Sequence, residues 1–242
     1  MVNKVIVIVG SGPGLGVSTG SLFASKGFDV ALLSRNTQRL EQDVAVVRKA
    51  NPNVSVRAYS VDVGDHIALP RVLAEVRSEL GAPEVVYFNA ARVQTSRIGE
   101  TTPEYILEDF KSMNIGMYVA AMWAIPDLTA AAERPGSHPS FLFCNSGLWD
   151  HPIADFFSLS MQKASQYNLA SSLNQILGPS GVHVAGVNIA GIIRDDDPVV
   201  NARNIANSIY ELYEQDKAHW QFEIKVGDWD EFLQSMSNQL SV

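Results

Sequence analysis

The chain has 242 residues, 46% of them hydrophobic and 18% charged, which supports a sizeable core and excludes an intrinsically disordered protein. The net charge of −8, with no basic run, argues against nucleic acid as a partner. Cys144 is the single cysteine, so an intrachain disulfide and a cysteine zinc cluster are excluded. We find no signal-peptide pattern and no stretch of about 18 apolar residues, and therefore expect a soluble, cytoplasmic protein that does not bind membranes.

Short apolar runs rich in β-branched residues alternate with longer amphipathic segments along the whole chain. The predicted strands are Lys4–Val9, Asp29–Leu33, Val54–Tyr59, Glu84–Phe88, Ser140–Cys144, His183–Asn188 and Gln221–Val226. The predicted helices are Leu15–Lys26, Thr37–Ala50, His66–Leu80, Pro103–Ala131, Phe156–Leu177 and Pro198–Gln215. Nearly continuous apolar strands are typical of a sheet covered on both faces. The repetition predicts an α/β fold, namely one doubly wound Rossmann-type domain with a seven-stranded parallel sheet flanked by helices.

Glycines and prolines mark several predicted helix ends. Gly27, Gly81 and Gly178 each follow a helix, where a residue in the left-handed conformation is expected. Pro103 and Pro198 stand near helix starts, where the missing N–H has no cost.

The first strand runs directly into a glycine-rich turn, Gly10–Gly16. Such a turn between a buried strand and a helix presents backbone N–H groups to a pyrophosphate. The common G-x-G-x-x-G pattern fails here because Leu15 takes the sixth position, whereas a G-x-x-x-G-x-G pattern fits. We assign the phosphate contacts to Gly10, Ser11, Gly14, Leu15 and Gly16.

This turn resembles that of the short-chain dehydrogenase/reductases, although Val9 stands where the family usually has threonine. Further matches follow in order along the chain: Asp62-Val63, Asn89-Ala90-Ala91, Asn114 and Ser146. The resemblance implies that Asp62 and Val63 contact adenine, that Asn89 and Ala90 line the cofactor site, and that Asn114 and Ser146 are catalytic. It also implies that Gly191 and Ile193 contact the nicotinamide, with Ala190 in place of the family's proline.

The residues after the second strand favour NADP(H) over NAD(H). Enzymes that choose NAD usually carry an acidic residue there, which hydrogen-bonds the ribose 2′-hydroxyl and would repel a 2′-phosphate. Ser34 and Arg35 stand there instead. A guanidinium suits a phosphate, and the serine hydroxyl adds a hydrogen bond.

The resemblance implies a catalytic Tyr-x-x-x-Lys segment about 13 residues after the serine. Lys163 is present and is expected to contact the nicotinamide ribose, but Leu159 occupies the tyrosine position. Leucine cannot exchange a proton, and losing a general acid costs on the order of 100- to 10,000-fold in rate. His151, which titrates near neutral pH, is our candidate for an alternative proton donor.

Other groups near this segment are weaker candidates. Asp155 is spaced to orient His151, Ser160 neighbours the leucine, and Tyr167 lies one turn too far along the helix. Tyr118 is expected to pack in the interior, and Cys144 to be inert in a buried strand.

No metal site is expected. His151 with Asp155, and the run Asp195–Asp197, each lack a third ligand at convincing spacing. Trp220, Trp229 and Phe232 are expected to cover the sheet edge or an oligomer interface. The resemblance implies a homodimer or homotetramer that pairs through its fourth and fifth helices.

Three functions stay open. The first is an NADPH-dependent reductase of a small carbonyl or enone, whose proton comes from His151, water or the substrate. The second is a non-redox cyclase or isomerase in which the cofactor is a structural or electrostatic element. The third is a non-catalytic NADP(H)-binding protein.

Overall fold

The computed structural model describes residues 3–240, with side chains through residue 234. Seven parallel strands form one sheet in the order β3-β2-β1-β4-β5-β6-β7. The strands are β1 Val5–Val9, β2 Asp29–Ser34, β3 Val56–Ser60, β4 Val85–Phe88, β5 Ser140–Ser146, β6 His183–Ile189 and β7 Glu223–Val226. All seven predicted strands are present, and the parallel doubly wound fold is confirmed. The predicted bounds differ from the observed ones by up to two residues.

Helices cover both faces of this sheet. They are α1 Leu15–Ser25, α2 Thr37–Ala50, α3 Ala68–Leu80, α4 Pro103–Phe110, α5 Gly116–Ala132, α6 Phe157–Leu177, α7 Ala202–Glu214 and α8 Trp229–Leu240. A π-helical segment, Lys111–Ile115, joins α4 to α5, so the predicted helix Pro103–Ala131 is continuous but changes its hydrogen-bonding pattern in the middle. Helix α8 was not predicted.

One predicted helix start and the predicted left-handed conformation of one glycine are wrong. Helix α7 begins at Ala202 and not at Pro198, because Asp197 accepts hydrogen bonds from the N–H groups of Val199 and Val200 and holds them in a turn. Gly178 has a φ of −55° and stays right-handed, whereas Gly181 takes the positive φ of 82°. Gly27 and Gly81 do adopt positive φ, as predicted.

The core lies in two layers, one on each side of the sheet. One layer packs α3, α5 and α6 on the strands through residues such as Leu73, Leu128 and Leu173. The other packs α1, α2 and α7 through residues such as Phe23, Val47 and Ile209. Burial of these side chains removes apolar surface from water, which is the main stabilising contribution.

One helix among the described residues, Pro103–Ala132, is long and apolar enough to cross a membrane by length and composition. No such helix is expected from the sequence, which has no stretch of about 18 apolar residues. Its Ala120, Ala124 and Leu128 are fully buried against the sheet. The apolar composition is therefore that of a core helix, whose inner face must match an apolar sheet.

The strand order fixes where a ligand can bind. The chain moves outward from β1 to β2 and β3, then returns to add β4 on the other side of β1. In open parallel sheets, a crevice forms at this reversal, beyond the carboxyl ends of the strands. The glycine turn after β1 and the Asn89–Ala91 segment after β4 meet at this point.

Candidate functional site

The turn after β1 has two positions that require glycine. Gly10 has a φ of +97°, and a Cβ there would lie 2.5 Å from the main-chain nitrogen of Ala90. A Cβ on Gly16 would lie 2.9 Å from Cα of Ser11. A Cβ on Gly14 would meet nothing within 4 Å, so that glycine, at the N-cap of α1, is not needed for packing. The tight turn thus leaves open space where a pyrophosphate would approach the start of α1.

A cavity of about 260 Å³ lies beside this turn. Eight of the predicted cofactor residues line it: Gly10, Ser11, Ser34, Arg35, Asp62, Val63, Asn89 and Ala90. Their arrival at one cavity follows from the parallel sheet, since each stands at or just beyond the carboxyl end of β1, β2, β3 or β4. Gly191 lies apart from them, in a second cavity of about 570 Å³ between the loop after β6 and the start of α8.

Arg35 is one of two arginines that line the smaller cavity. Its Nη1 lies 3.8 Å from Oδ2 of Asp62, and its side chain is 65% exposed. An exposed ion pair of this kind contributes little to stability. The guanidinium is therefore free to turn toward a phosphate beside Ser34.

Ser11 has a structural partner that the sequence analysis missed. Its Oγ donates to Oδ2 of Asp43 at 3.2 Å, and the buried Asp43 is paired with Nε of Arg39 at 2.8 Å. This network fixes the glycine turn against α2. The i,i+4 spacing of Arg39 and Asp43 on a predicted helix was the available signal.

Asn89 also stabilises the turn. Its Nδ2 donates to the main-chain oxygen of Gly10 at 3.0 Å, and its Oδ1 accepts from the Tyr87 hydroxyl at 3.1 Å. The side chain therefore ties the ends of β1 and β4 together beside the cavity.

Arg92 lines the same cavity and was not predicted. Its Nε lies 3.0 Å from Oδ1 of Asp109, a carboxylate that is 1% exposed and that accepts a hydrogen bond from Ser158 Oγ at 2.6 Å. The segment after β4 is thereby joined to α4 and to the first turn of α6. The pairing links residues far apart in sequence, so no local pattern could reveal it.

Ser146 and Lys163 are brought together at the end of β5. The Oγ of Ser146 is buried and has no hydrogen-bond partner among the described residues. Nζ of Lys163 donates to the main-chain oxygen of Cys144 at 2.9 Å. Burial lowers the pKa of Lys163 and raises the pKa of the Cys144 thiol. Cys144 itself is partly buried rather than fully enclosed.

Leu159, which stands where the resemblance implies a catalytic tyrosine, is buried inside the protein. Leu159 is 4% exposed and lies one turn before Lys163 on α6. Asn114 stands in the π-helical segment, and its Nδ2 donates to Oε1 of Gln162 at 2.7 Å. Gln162 was missed, because a glutamine in the middle of a helix carries no signal of burial.

His151 lies at the surface of this region. Its side chain is 48% exposed, and its Nδ1 lies 2.7 Å from Oδ1 of Asp150. Asp155 does not orient it, because that carboxylate pairs with Nε of Arg97 at 2.8 Å. The structure gives His151 no hydrogen bond to Ser146 or Lys163.

Three other side chains considered near the tyrosine position are engaged elsewhere or face solvent. The Tyr167 ring stacks on Trp149 with centroids 3.9 Å apart, and burial raises the pKa of its hydroxyl. Ser160 Oγ donates to the main-chain oxygen of Phe156. Tyr118 is 50% exposed, so the prediction that it packs in the interior is wrong.

Trp229, the first residue of α8, lies over the loop after Ser146. A Cβ on Gly147 would be 2.6 Å from Cε3 of this ring, so the indole rests directly on the glycine. Trp220 instead stacks on His183, with centroids 4.7 Å apart. Trp229 thus covers the loop next to Ser146. The sequence predicted only that this tryptophan covers the sheet edge or an oligomer interface.

Residues 3–240 hold no group of three His, Cys, Asp or Glu side chains arranged to bind a metal. In the Asp195–Asp197 run, Asp196 and Asp197 lie 4.0 and 3.7 Å from the Arg194 guanidinium. These aspartates belong to a solvent-facing turn.

Solved structures share this architecture. A short-chain dehydrogenase from Rhodopseudomonas palustris superposes with a TM-score of 0.81 at 22% identity, over 93% of this chain and 99% of that one. An NADPH-bound short-chain oxidoreductase from Pseudomonas aeruginosa, described as containing an atypical catalytic centre, gives 0.82 at 22% identity, over 92% and 94%. At these identities the likeness establishes the fold.

Sequence comparison adds a relative and a family. An uncharacterised oxidoreductase of Mycobacterium tuberculosis is 35% identical over 94 residues, which cover 39% of this chain and 37% of that protein. Residues 4–196 match the short chain dehydrogenase family, well over half of the chain. The chain therefore belongs to the short-chain dehydrogenase family of oxidoreductases.

Proposed function

We propose that this protein is a cytoplasmic NADP(H)-dependent reductase of a small carbonyl or enone whose proton donor differs from the family's tyrosine. The observation that carries the proposal is the tight glycine turn beside the 260 Å³ cavity, in which a Cβ at Gly10 or Gly16 would lie within 3 Å of main-chain atoms. A cavity beside a glycine turn, at the point where the strand order reverses, suits a dinucleotide.

The residues around the cavity fit a 2′-phosphorylated cofactor. Arg35 is largely exposed at the cavity and has only a long ion pair with Asp62, so it can turn to a phosphate. Ser34, at the end of β2, supplies a hydroxyl in place of a carboxylate. Two solved structural relatives contain NADP or NADPH, which supports the same choice.

When bound, the reduced cofactor supplies a hydride to the substrate. Ser146 would donate a hydrogen bond to the substrate oxygen through its unpartnered hydroxyl. Lys163 would position the nicotinamide ribose. In its present conformation it donates to the main-chain oxygen of Cys144 and so holds the end of β5. Leu159 supplies no proton, so solvent or His151 must do so. An enone suits this site best, because its α-carbon can take a proton from water after hydride addition.

Calorimetric titration with NADPH and NADH tests the cofactor, and nicotinamide absorbance with cyclohexanone and 2-cyclohexen-1-one tests the reaction. We expect NADPH to bind more tightly than NADH and to be consumed with the enone. If neither dinucleotide binds, the protein is not an NADP(H)-dependent enzyme and the proposal is refuted.

A non-redox cyclase or isomerase is the second candidate, and the buried Leu159 is the observation that favours it. In that case the cofactor would bind, substrate would be converted, and NADPH would not be consumed. A protein that only binds NADP(H) is less favoured. It has no need for all three of Ser146 at the end of β5, Asn114 in the π-helical segment and Lys163 in α6.

We also propose that a second copy of the chain covers an exposed apolar surface of α4 and α5. This surface consists of Leu107, Phe110, Tyr118 and Met122, each 40% to 53% exposed. Apolar groups gathered on one surface commonly mark a protein interface. A homodimer or homotetramer would bury them.

A further inference from the structure

Arg92 lines the smaller cavity from the segment that follows β4. Its side chain is 22% exposed, so protein encloses most of it while part of it still faces the cavity. The other charged residues along this cavity are Arg35 and Asp62, which pair with each other. Arg92 is therefore a second cation at the cavity, with no partner there.

Two residues of α4 hold the Arg92 guanidinium in place. Its Nε lies 3.0 Å from Oδ1 of the buried Asp109, and its Cζ lies 5.2 Å from the ring centroid of Tyr105. Asp109 is fixed in turn by the Ser158 hydroxyl, which donates to Oδ2 at 2.6 Å. A carboxylate at one edge and an aromatic ring on one face restrict the side chain before any ligand arrives, which reduces the entropic cost of binding.

These contacts leave the hydrogen-bond donors of Arg92 unused. The contact with Asp109 brings opposite charges together without a well-aligned hydrogen bond, since Asp109 Oδ1 has no hydrogen-bond partner in the described part of the chain. An arginine carries five N–H donors in a planar fork. Its two terminal amino groups are therefore available to an anion in the cavity.

The strand order decides which part of a dinucleotide Arg92 would meet. Strand β4 pairs with β1, and a Cβ at Gly10 would lie 2.6 Å from Cα of Ala90, so the segment after β4 lies against the glycine turn. Strand β2, which leads to Arg35, pairs with the other side of β1. A pyrophosphate binds at the glycine turn, whereas the ribose 2′-oxygen lies at the end of β2. Arg92 therefore approaches from the pyrophosphate side and Arg35 from the 2′-phosphate side.

We propose that Arg92 binds the pyrophosphate group of the dinucleotide through its terminal amino groups, while Asp109 holds the guanidinium from behind. This inference rests on the proposed cofactor, and it assigns to Arg92 a contact that NADP(H) and NAD(H) share. The planar fork matches the oxygens of a phosphate. Its charge also attracts the dinucleotide to a chain whose net charge is −8.

The test measures the affinity of Arg92→Lys for NADPH, NADH and ADP by calorimetry. Lysine keeps the positive charge beside Asp109, but its single nitrogen cannot reproduce a fork that serves the carboxylate and a phosphate together. All three ligands contain the pyrophosphate group, and ADP lacks both the 2′-phosphate and the nicotinamide. Each should bind about 10- to 100-fold more weakly, the range for one hydrogen bond to a charged group.

Two results would overturn the proposal. Unchanged affinities for all three ligands would leave Arg92 as a structural partner of Asp109 only. A loss confined to NADPH would assign Arg92 to the 2′-phosphate.

Arg97→Lys is the matched control. Arg97 follows on the same segment and its Nε donates to Oδ1 of Asp155 at 2.8 Å, but it lines a different cavity. This variant should keep all three affinities within about twofold, and a loss equal to that of Arg92→Lys would contradict a specific contact. If Arg92→Lys does not fold, Arg92→Gln combined with Asp109→Asn replaces the ion pair with neutral groups and should show the same loss.

NADPH consumption with 2-cyclohexen-1-one is recorded separately, so that the pyrophosphate contact and the reductase can fail independently. Weaker binding by Arg92→Lys, in a protein that does not consume NADPH, would support the contact and count against the reductase. NADPH consumption with unchanged affinities in Arg92→Lys would refute the contact alone. A wild-type protein that binds none of the three ligands would refute both.

Discussion

Nζ of Lys163 lies 2.9 Å from the main-chain oxygen of Cys144, and the lysine is only 5% exposed. The fold thus holds an ammonium group inside the protein with an uncharged partner. Burial disfavours the charged form and lowers the pKa of this group from its ordinary value of 10.5. A buried ammonium group with an uncharged partner costs stability, and groups with such shifted pKa values are typical of functional sites.

Replacing this lysine with Lys163→Met should therefore separate stability from binding. Between the lowered pKa and 10.5 the unfolded chain binds the additional proton, so the lysine's contribution to stability falls as the pH decreases through that window. The wild-type free energy of unfolding should rise more steeply with pH than that of the variant. Urea titrations from neutral to alkaline pH measure this, and parallel curves would contradict it. NADPH affinity, measured by calorimetry, should fall in the variant.

Arg35→Ala should weaken NADPH binding about 10- to 100-fold, the range for one lost hydrogen bond to a charged group, and change NADH binding little. The control is Arg39→Ala, since Arg39 is already paired with Asp43. That variant should lower thermal stability without changing the preference between the two cofactors. Calorimetry provides both affinities, and an equal loss for NADPH and NADH in Arg35→Ala would rule out recognition of the 2′-phosphate.

Leu159→Tyr should raise the reduction of a simple ketone by at least about 100-fold, because it restores a proton donor one turn before Lys163. Leu159→Phe adds the same ring without the hydroxyl and controls for the extra volume at this buried position. Rates with cyclohexanone and NADPH compare the two folded variants. If tyrosine and phenylalanine behave alike, the remaining groups do not form a competent ketone-reducing site.

Gly147→Ala should displace Trp229, since the new Cβ would lie 2.6 Å from the indole ring. We expect a loss of about 1–3 kcal/mol in unfolding free energy, typical of overpacking, and a change in tryptophan fluorescence. Combining it with Trp229→Ala removes the clash, so a double-mutant cycle should show strong coupling. Additive effects would mean that the ring does not rest on Gly147 in solution.

Met122→Glu should lower the oligomeric state, because it places a charge within the apolar surface of α4 and α5. Sedimentation velocity should show a dimer or tetramer for the wild type and a smaller species for the variant. Val46→Glu, at another exposed apolar position on α2, is the control and should leave the assembly unchanged. A monomeric wild-type protein would refute the proposed interface.

The sequence predicted most of the fold because its strands are buried on both faces and read as apolar runs such as Val5–Val9. It also located eight of the residues that line the small cavity, since the ends of parallel strands meet at one edge, but not Arg92. It did not predict the partners of Ser11, Lys163 and Gln162. Those contacts join segments that are distant along the chain, and only tertiary packing brings them together.

Helix ends were predicted less well, because hydrogen bonds between side chains and nearby backbone groups decide where a helix begins. Hydrogen bonds from the N–H groups of Val199 and Val200 to the Asp197 carboxylate delay the start of α7, and Asn201 then caps it. Helix α8 was overlooked because Trp229 and Phe232 were interpreted only as covering groups.

The π-helical segment Lys111–Ile115 determines which side chains of this long helix share a face. A π-type turn holds more residues than an α-type turn, so it sets the two α-helical halves out of phase. Winding the same residues as uninterrupted α-helix would rotate everything on one side by about 100° relative to the other. Asn114 could then face Gln162 only if the apolar contacts of α5 with the sheet were lost. The irregular turn lets one helix satisfy a polar pairing and an apolar interface whose spacings a regular helix cannot match together.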